Sequence, residues 1–182
     1  MKKIIEFLKP ACGLMLALLF TCTLAQAQDA KDNRMIADSK EAKAEFIKTD
    51  KLMQSLFSDS HAYVIFPNVG KGAIGVGGAA GNGIVFEKGK AIGAAKMLQI
   101  TVGLQLGGQA YREVIFFENE AALKRFKEDK FEFAGQASAV AAKAGAATNM
   151  KYREGVLVFS EQKGGLMYEA SVGGQKFEYH VF

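Results

Sequence analysis

The chain has no tryptophan, and among its 182 residues it has only two prolines, two histidines and two cysteines. Cys12 and Cys22 both fall in an apolar leader-like segment. The remainder of the chain therefore offers no disulfide, no thiolate nucleophile and no cysteine-based metal site. His61 and His180 are the available imidazoles, and neither stands beside a nucleophile pattern such as G-x-S-x-G, so no catalytic residue is assigned. Carboxylates are common enough that an acid–base pair needs the fold to judge. Neither an H-E-x-x-H nor an EF-hand spacing occurs, and no metal site is expected. Gly75 to Ala80 fits G-x-G-x-x-A, but Gly81-Asn82-Gly83 comes next where a helix is required, and no acid lies near 95–100 to hold a ribose. Lys88-Gly89-Lys90-Ala91 lacks the hydroxyl and the upstream glycines of a phosphate loop. No cofactor is therefore expected. The formal charge of +4 is small for this length, which argues against a nucleic-acid partner.

The amino terminus reads as a secretory signal. Lys2, Lys3 and Lys9 precede the apolar run Ala11–Leu24, and Ala25-Gln26-Ala27 supplies small residues at −3 and −1. Residues 1–27 are expected to be cleaved before Gln28, placing the protein in the periplasm or outside the cell. An uncleaved anchor and a lipidated Cys22 are the alternatives; Phe20 and Thr21 suit a lipobox poorly. Cleavage removes three lysines and one glutamate and lowers the formal charge from +4 to +2. About 155 residues remain, 28–182, enough for a single domain with a core.

Glycine is what the chain has in quantity. Twelve of its 20 glycines lie between Val69 and Gly108, many at alternate positions of strand-like sequence. Glycine weakens an ordinary strand, so this spacing points to sharp curvature or to something packed directly against the backbone.

Along the chain, 28–33 reads as a frayed terminus. Met35, Ser39, Ala42 and Phe46 then make one face of a helix, with Ile36 and Ile47 beside them and Lys40, Glu41, Lys43, Glu45 and Lys48 opposite. Asp50 can cap a short second helix with Leu52, Met53, Leu56 and Phe57 on its apolar face. Period-two patterning predicts strands near 62–66, 72–80, 83–88, 91–97, 99–109 and 111–118, with turns at Asn82-Gly83 and Lys88-Gly89-Lys90. Asn119 reads as the N-cap of a helix of two to three turns. Residues 131–148 suit either a small-residue strand or a helix, with strand favoured by the surroundings. Strands at 152–160, 165–172 and 175–181 close the chain, with turns at Lys163-Gly164-Gly165 and Gly173-Gly174. The fold class is α+β: amino-terminal helices packed on a strongly coiled, glycine-rich antiparallel sheet or partial barrel with one inserted helix.

The constellation with chemical potential is basic. Lys71 comes after Pro67-Asn68-Val69-Gly70, Lys88 and Lys90 flank a hairpin tip, Arg153 precedes a closing strand, and Lys163 lies in a glycine turn. Lysines beside backbone-exposing glycines can hold phosphate through charge and N–H groups. Phe46 and Ile47, opposite a lysine-bearing face, suit a membrane surface; the same pattern suits a helix half-buried on a sheet.

Phe66-Pro67-Asn68-Val69-Gly70-Lys71-Gly72 with the glycine strand to Gly78 resembles the signature of the SYLF lipid-binding domain family, also called Ysc84-type. Val158-Phe159-Ser160 through Lys163-Gly164-Gly165-Leu166, and Ala170 to Gly174, resemble its closing motif; Met167-Tyr168-Glu169 departs from it. Phe133–Ala147 is similar to the small-residue segment between the two. The family's eukaryotic members bind phosphoinositide membranes, and the resemblance implies binding of lipid or an anionic membrane here, phosphatidylinositol included; Lys71, Lys88, Lys90, Lys163 and Arg153 are the headgroup contacts expected from their charge. Actin, bound by some family members, is not expected of an exported protein. The expected function is non-enzymatic contact with anionic lipid in the cell envelope. The rival is an envelope structural or assembly protein that binds a protein partner along a sheet edge.

Overall fold

The structure is a computed structural model that describes residues 29–128, 132–134, 140–141 and 151–182, with the backbone course alone at 73, 75–76, 101–106, 132–134, 140–141 and 164–173. The expected leader and most of 131–148 lie outside the described residues. The chain divides into two compact units, Met1–Arg34 and Met35–Phe182. Of the first, 29–34 are described and are helical rather than frayed.

That helix, α1, is described over 29–49. In the second unit its stripe is the one its spacing predicts: Ser39, Ala42 and Phe46 are buried, with Met35, Ile36 and Ile47 partly buried beside them. A short turn leads to α2, Met53–Asp59, which buries Met53 and Phe57. Asp50 organises the turn, its carboxylate accepting from the Leu52 N–H at 3.0 Å and its carbonyl from the Met53 N–H at 3.0 Å.

The sheet is built from far longer strands than the pattern suggested. β1 runs Ala62–Glu87 and β2 runs Lys90–Phe117; α3, Glu120–Lys127, comes next, then the short β3, Glu132–Ala134, and β4, Val140–Ala141, and finally β5, Val156–Val181. The sheet order is β1-β2-β5-β3, with β4 beside β5. Among the described residues the path does not close, and β1 lies at one edge with β3 and β4 at the other. All pairs are antiparallel except β4 with β5. Lys88-Gly89 is a true turn, both residues having positive φ, 49° and 79°. Asn82-Gly83, Lys163-Gly164-Gly165 and Gly173-Gly174, expected as turns, instead run as strand. The described pieces of 131–148, β3 and β4, are strands.

Glycine supports bending here, not reversal. Register shifts interrupt β1 and β2 at Phe66/Val69, Ile74/Val76 and Val85/Phe86. β1 passes over itself: a Cβ added to Gly81 would stand 2.9 Å from a Val69 methyl, and one added to Gly83 would stand 2.8 Å from the Phe66 ring. The two ends of β1 thus approach with no side chain between them at these points, the situation only glycine permits. Bulges concentrate the bend and strengthen local twist.

Folding over gives the sheet two buried faces at its strand ends. Tyr63, Ile65, Ile84, Phe86, Val114, Phe116, Leu157 and Phe159 pack beneath α1 and α2. Val64, Phe66, Val85, Met97, Ile115, Phe117, Val158 and Phe177 fill the enclosed side with Leu123 and Phe126 of α3. Phe66 and Phe177, on β1 and β5, meet at 5.8 Å, and Phe126 meets Phe177 at 5.3 Å. Burial on both sides is why 62–66, 114–117 and 156–159 read as unbroken apolar runs. Asn119 caps α3 as its sequence predicts, its side chain accepting from the Ala122 N–H at 3.0 Å.

Candidate functional site

The basic residues singled out from sequence fall on different stretches of the fold. Lys88 is exposed in the β1–β2 turn and Lys90 at the start of β2, and Arg153 is exposed just before β5, in a backbone bridge with Val156. Beside the turn, Glu87 gathers further groups: His61 Nε2 lies 3.1 Å from one carboxylate oxygen and Lys127 Nζ 3.8 Å from the other. Lys71 and Lys163 belong to the bulged middle of the sheet, within β1 and β5 and not in turns. Lys163 reaches across β2 to donate to the Pro67 carbonyl at 3.3 Å and to Asn68 Oδ1. Its ammonium thus joins two bulges, Phe66/Val69 and Ala110/Tyr111, and serves the strand geometry.

The apolar pair expected at a membrane surface is placed otherwise. Phe46 has no exposed surface and Ile47 is half-buried, both against the sheet. The helix face that carries them is consumed by packing, which leaves Phe46 unavailable for outside contact while α1 is docked. Polar contacts reinforce the docking. Thr49 donates to Glu161 at 3.0 Å, Arg112 lies 3.6 Å from Glu161 and 4.0 Å from Glu45, and Lys43 donates to the Tyr63 hydroxyl at 3.1 Å while lying over the Phe57 and Tyr63 rings.

Sequence reasoning missed a polar group inside the fold. Glu113 is 1% exposed, on the same side of β2 as Tyr111, Ile115 and Phe117. Gln175 Nε2 donates to both its oxygens at 3.3 Å and also faces Gln99 Oε1 at 3.5 Å, to which the Tyr111 hydroxyl donates at 3.2 Å. Burial pushes the Glu113 carboxyl up to about 7, and the Gln175 hydrogen bond opposes the rise. The available signal was parity: Glu113 shares its alternation with three residues of an apolar strand.

The outward side of the sheet's middle is the second missed feature. The exposed alternate positions of β1 are Gly70, Gly72, Ile74, Gly78, Ala80 and Asn82. Across the ladder Gly78 pairs with Ile100, Ala80 with Leu98, and Asn82 with Lys96; Leu98 in turn faces Lys176. Directly paired residues project to one side of a sheet. Ile74 is 86% exposed, Ile100 69% and Leu98 41%.

Among the described residues no helix is long and apolar enough to cross a membrane, and no three His, Cys, Asp or Glu side chains gather as metal ligands. What the described surface offers is exposed charge and apolar relief, the means of a binding domain. Residues 98–180 match the model of the Ysc84 family, described as Las17-binding protein actin regulator, a family of lipid- or actin-binding domains. The closing segment Val158–Gly174 falls within that match, whereas the Phe66–Gly78 segment precedes it. The chain is also 29% identical over 82 residues to Beta cell expansion factor A of Aeromonas veronii; the alignment covers 45% of this chain and 31% of that protein. The chain therefore spans about a third of the length of that relative.

Proposed function

We propose that the protein is a non-enzymatic lipid-binding domain, exported by its amino-terminal leader, that contacts anionic lipid headgroups or a membrane surface in the cell envelope. The observation that carries this reading is the match over 98–180 to a family of lipid- or actin-binding domains. Export, read from the leader, removes actin from the partners expected. A phosphatidylinositol headgroup is one anionic ligand among several that the basic residues suit. Exposed Lys88, Lys90 and Arg153 supply charge that can meet phosphate without disturbing the core. Lys71 and Lys163 remain within this reading as residues of the bulged middle, Lys163 with a structural duty as well. We read the doubling of β1 as strong coiling of the sheet, which leaves a broad outward surface for a flat partner.

Vesicle flotation tests the reading. Purified protein is expected to float with vesicles containing phosphatidylserine or phosphatidylglycerol and less with pure phosphatidylcholine. The charge reversals Lys88→Glu, Lys90→Glu and Arg153→Glu together should weaken that binding, since each basic residue near a charged bilayer is worth roughly 1 kcal/mol. Equal flotation with neutral and anionic vesicles would refute the anionic preference. No flotation with either would refute lipid binding. Amino-terminal sequencing of protein recovered from an envelope fraction tests export, with Gln28 the expected first residue.

One observation favours a second reading, an envelope assembly protein. β1 is an edge strand of 26 residues. Open ladder groups on such an edge can take up a partner strand. Pull-down by immobilised protein of one defined envelope polypeptide, together with absent flotation, would favour it.

A further inference from the structure

The exposed apolar residues of the sheet's middle form one feature with a definite physical character. Ile74, Ile100 and Leu98 are exposed on a face whose described β1 positions are mostly glycine and alanine, namely Gly70, Gly72, Gly78 and Ala80. A Cβ added at Gly70 or Gly72 would meet nothing within 4 Å, so the sheet lies open at these positions. Three aliphatic side chains are thus exposed on this face. Leaving an isoleucine at 86% exposure forfeits most of its burial energy, and clustered exposure of this kind marks an interaction site.

The chemistry of the surroundings selects the occupant. Protein interfaces are anchored by Tyr, Trp and Arg held in complementary pockets. The rows of Ile100 and Leu98 hold Gly78, Gly174 and Ala80 and none of these anchors. A bilayer needs no complementary relief, because acyl chains conform to whatever enters them. One row from Ile100, Leu98 is opposite Lys176, and the next row carries Lys96, 3.7 Å from Glu178 with both side chains about half exposed. Long lysine stems beside an aliphatic patch can lie along the apolar layer and hold their ammonium groups at the phosphate level.

We propose that the outward face of the sheet's middle enters the bilayer interface, Ile74, Ile100 and Leu98 inserting among the acyl chains with Lys96 and Lys176 at the headgroup level. The inference rests on the lipid-binding reading above and names the contact within it. It replaces an α1-mediated contact with a sheet-mediated one, consistent with the burial of Phe46. It also gives binding two components. The part due to lysines is screened by salt, and the part due to aliphatic insertion is not.

Flotation at low salt and at about 1 M salt, where the Debye length is about 3 Å, separates the two components. The wild-type protein should keep a salt-resistant share of binding to phosphatidylglycerol vesicles. Ile74→Ser with Ile100→Ser should lower that share by about tenfold or more, since moving one such side chain out of water is worth about a factor of ten to a hundred. An unchanged circular dichroism melt shows that the variant folds. Because the chain has no tryptophan, Ile100→Trp supplies an independent reporter. The emission of its single indole should shift to the blue on vesicle addition and be quenched by brominated acyl chains. If wild-type protein floats but the serine variant floats equally at both salts, or the indole is not quenched, insertion by this face is refuted while lipid binding stands. If wild-type protein does not float, the lipid-binding reading itself fails and takes this contact with it. Self-association of wild-type protein by analytical sedimentation, abolished by the serine pair, would assign the face to a second copy of the chain and overturn the proposal.

Discussion

Substituting alanine for glycine at two positions of β1 tests the self-crossing of that strand directly. At Gly83 an ideal Cβ would stand 3.0 Å from the Ile65 carbonyl carbon, closer still to its oxygen, and 2.8 Å from Phe66 Cδ1. Ordinary contact begins near 3.4 Å, and the obstacle at Ile65 is backbone, which cannot rotate aside as a side chain would. The two passages of β1 must separate by several tenths of an ångström, at the place where Phe66 and its neighbours are packed. Overpacking of this kind costs about 1–3 kcal/mol. At Gly72 an added Cβ meets nothing within 4 Å and the backbone is not in the left-handed region. Alanine there should stabilise by about 0.4–1 kcal/mol, because it restricts the unfolded chain without straining the folded one. The two variants should therefore differ by about 1.4–4 kcal/mol, with opposite signs relative to wild type. For a domain of this size each kcal/mol moves the melting temperature by about 2–4 °C. Thermal melts by circular dichroism, with urea titrations as a check, read the gap. If Gly83→Ala and Gly72→Ala melt together, the close approach of 65–66 and 83 is wrong, and with it the doubled course of the strand.

Two side chains with unexpected placements give further tests. Glu113 has a folded pKa raised from 4.5 to about 7 by burial, so the folded state holds its proton more tightly than the unfolded chain does. Its contribution is fully present below about pH 4.5, declines as pH rises, and is lost above about 7, a difference of about 3 kcal/mol at 1.36 kcal/mol per pH unit. Glu113→Gln should accordingly melt higher than wild type at pH 8 and converge with it near pH 4.5; parallel melting curves at both pH values would show that the carboxyl is not buried as described. Phe46→Ala should destabilise by about 3–5 kcal/mol, as for other fully buried aromatics, and a wild-type melting temperature with weakened vesicle binding would return Phe46 to a surface role.

Much of the fold was legible because its signals are local. The stripe Ser39, Ala42, Phe46 repeats at helical spacing and is buried as read. Asn119 caps α3 and Lys88-Gly89 turns the chain, each through groups within a few residues. The family resemblance was also readable, since its closing segment falls within the residues that match the Ysc84 model. Of the candidate site, the basic residues were visible by type, but their grouping was not. Lys163 spans to Asn68, 95 positions away, a relation that no local pattern contains.

Amino-acid sequence by itself determined the helix and strand types, the α+β class, the Asn119 cap, the Lys88-Gly89 turn and the poverty of reactive side chains. These depend on backbone propensity and on spacing within one or two turns, which the chain carries at every point. Tertiary structure alone decided whether a glycine pair reverses a strand or lets it bend, because glycine permits both and only the packing of 65–69 on 81–83 chooses between them. The same folding enclosed Glu113, whose strand alternation says which side it faces but not that the side is closed to water. It also left Ile74 and Ile100 uncovered, since α1 and α2 cover the sheet near its strand ends. An isoleucine in a strand looks the same whether a helix lies over it or not; what covers it is a property of distant residues brought together, and that is where the proposed membrane contact comes from.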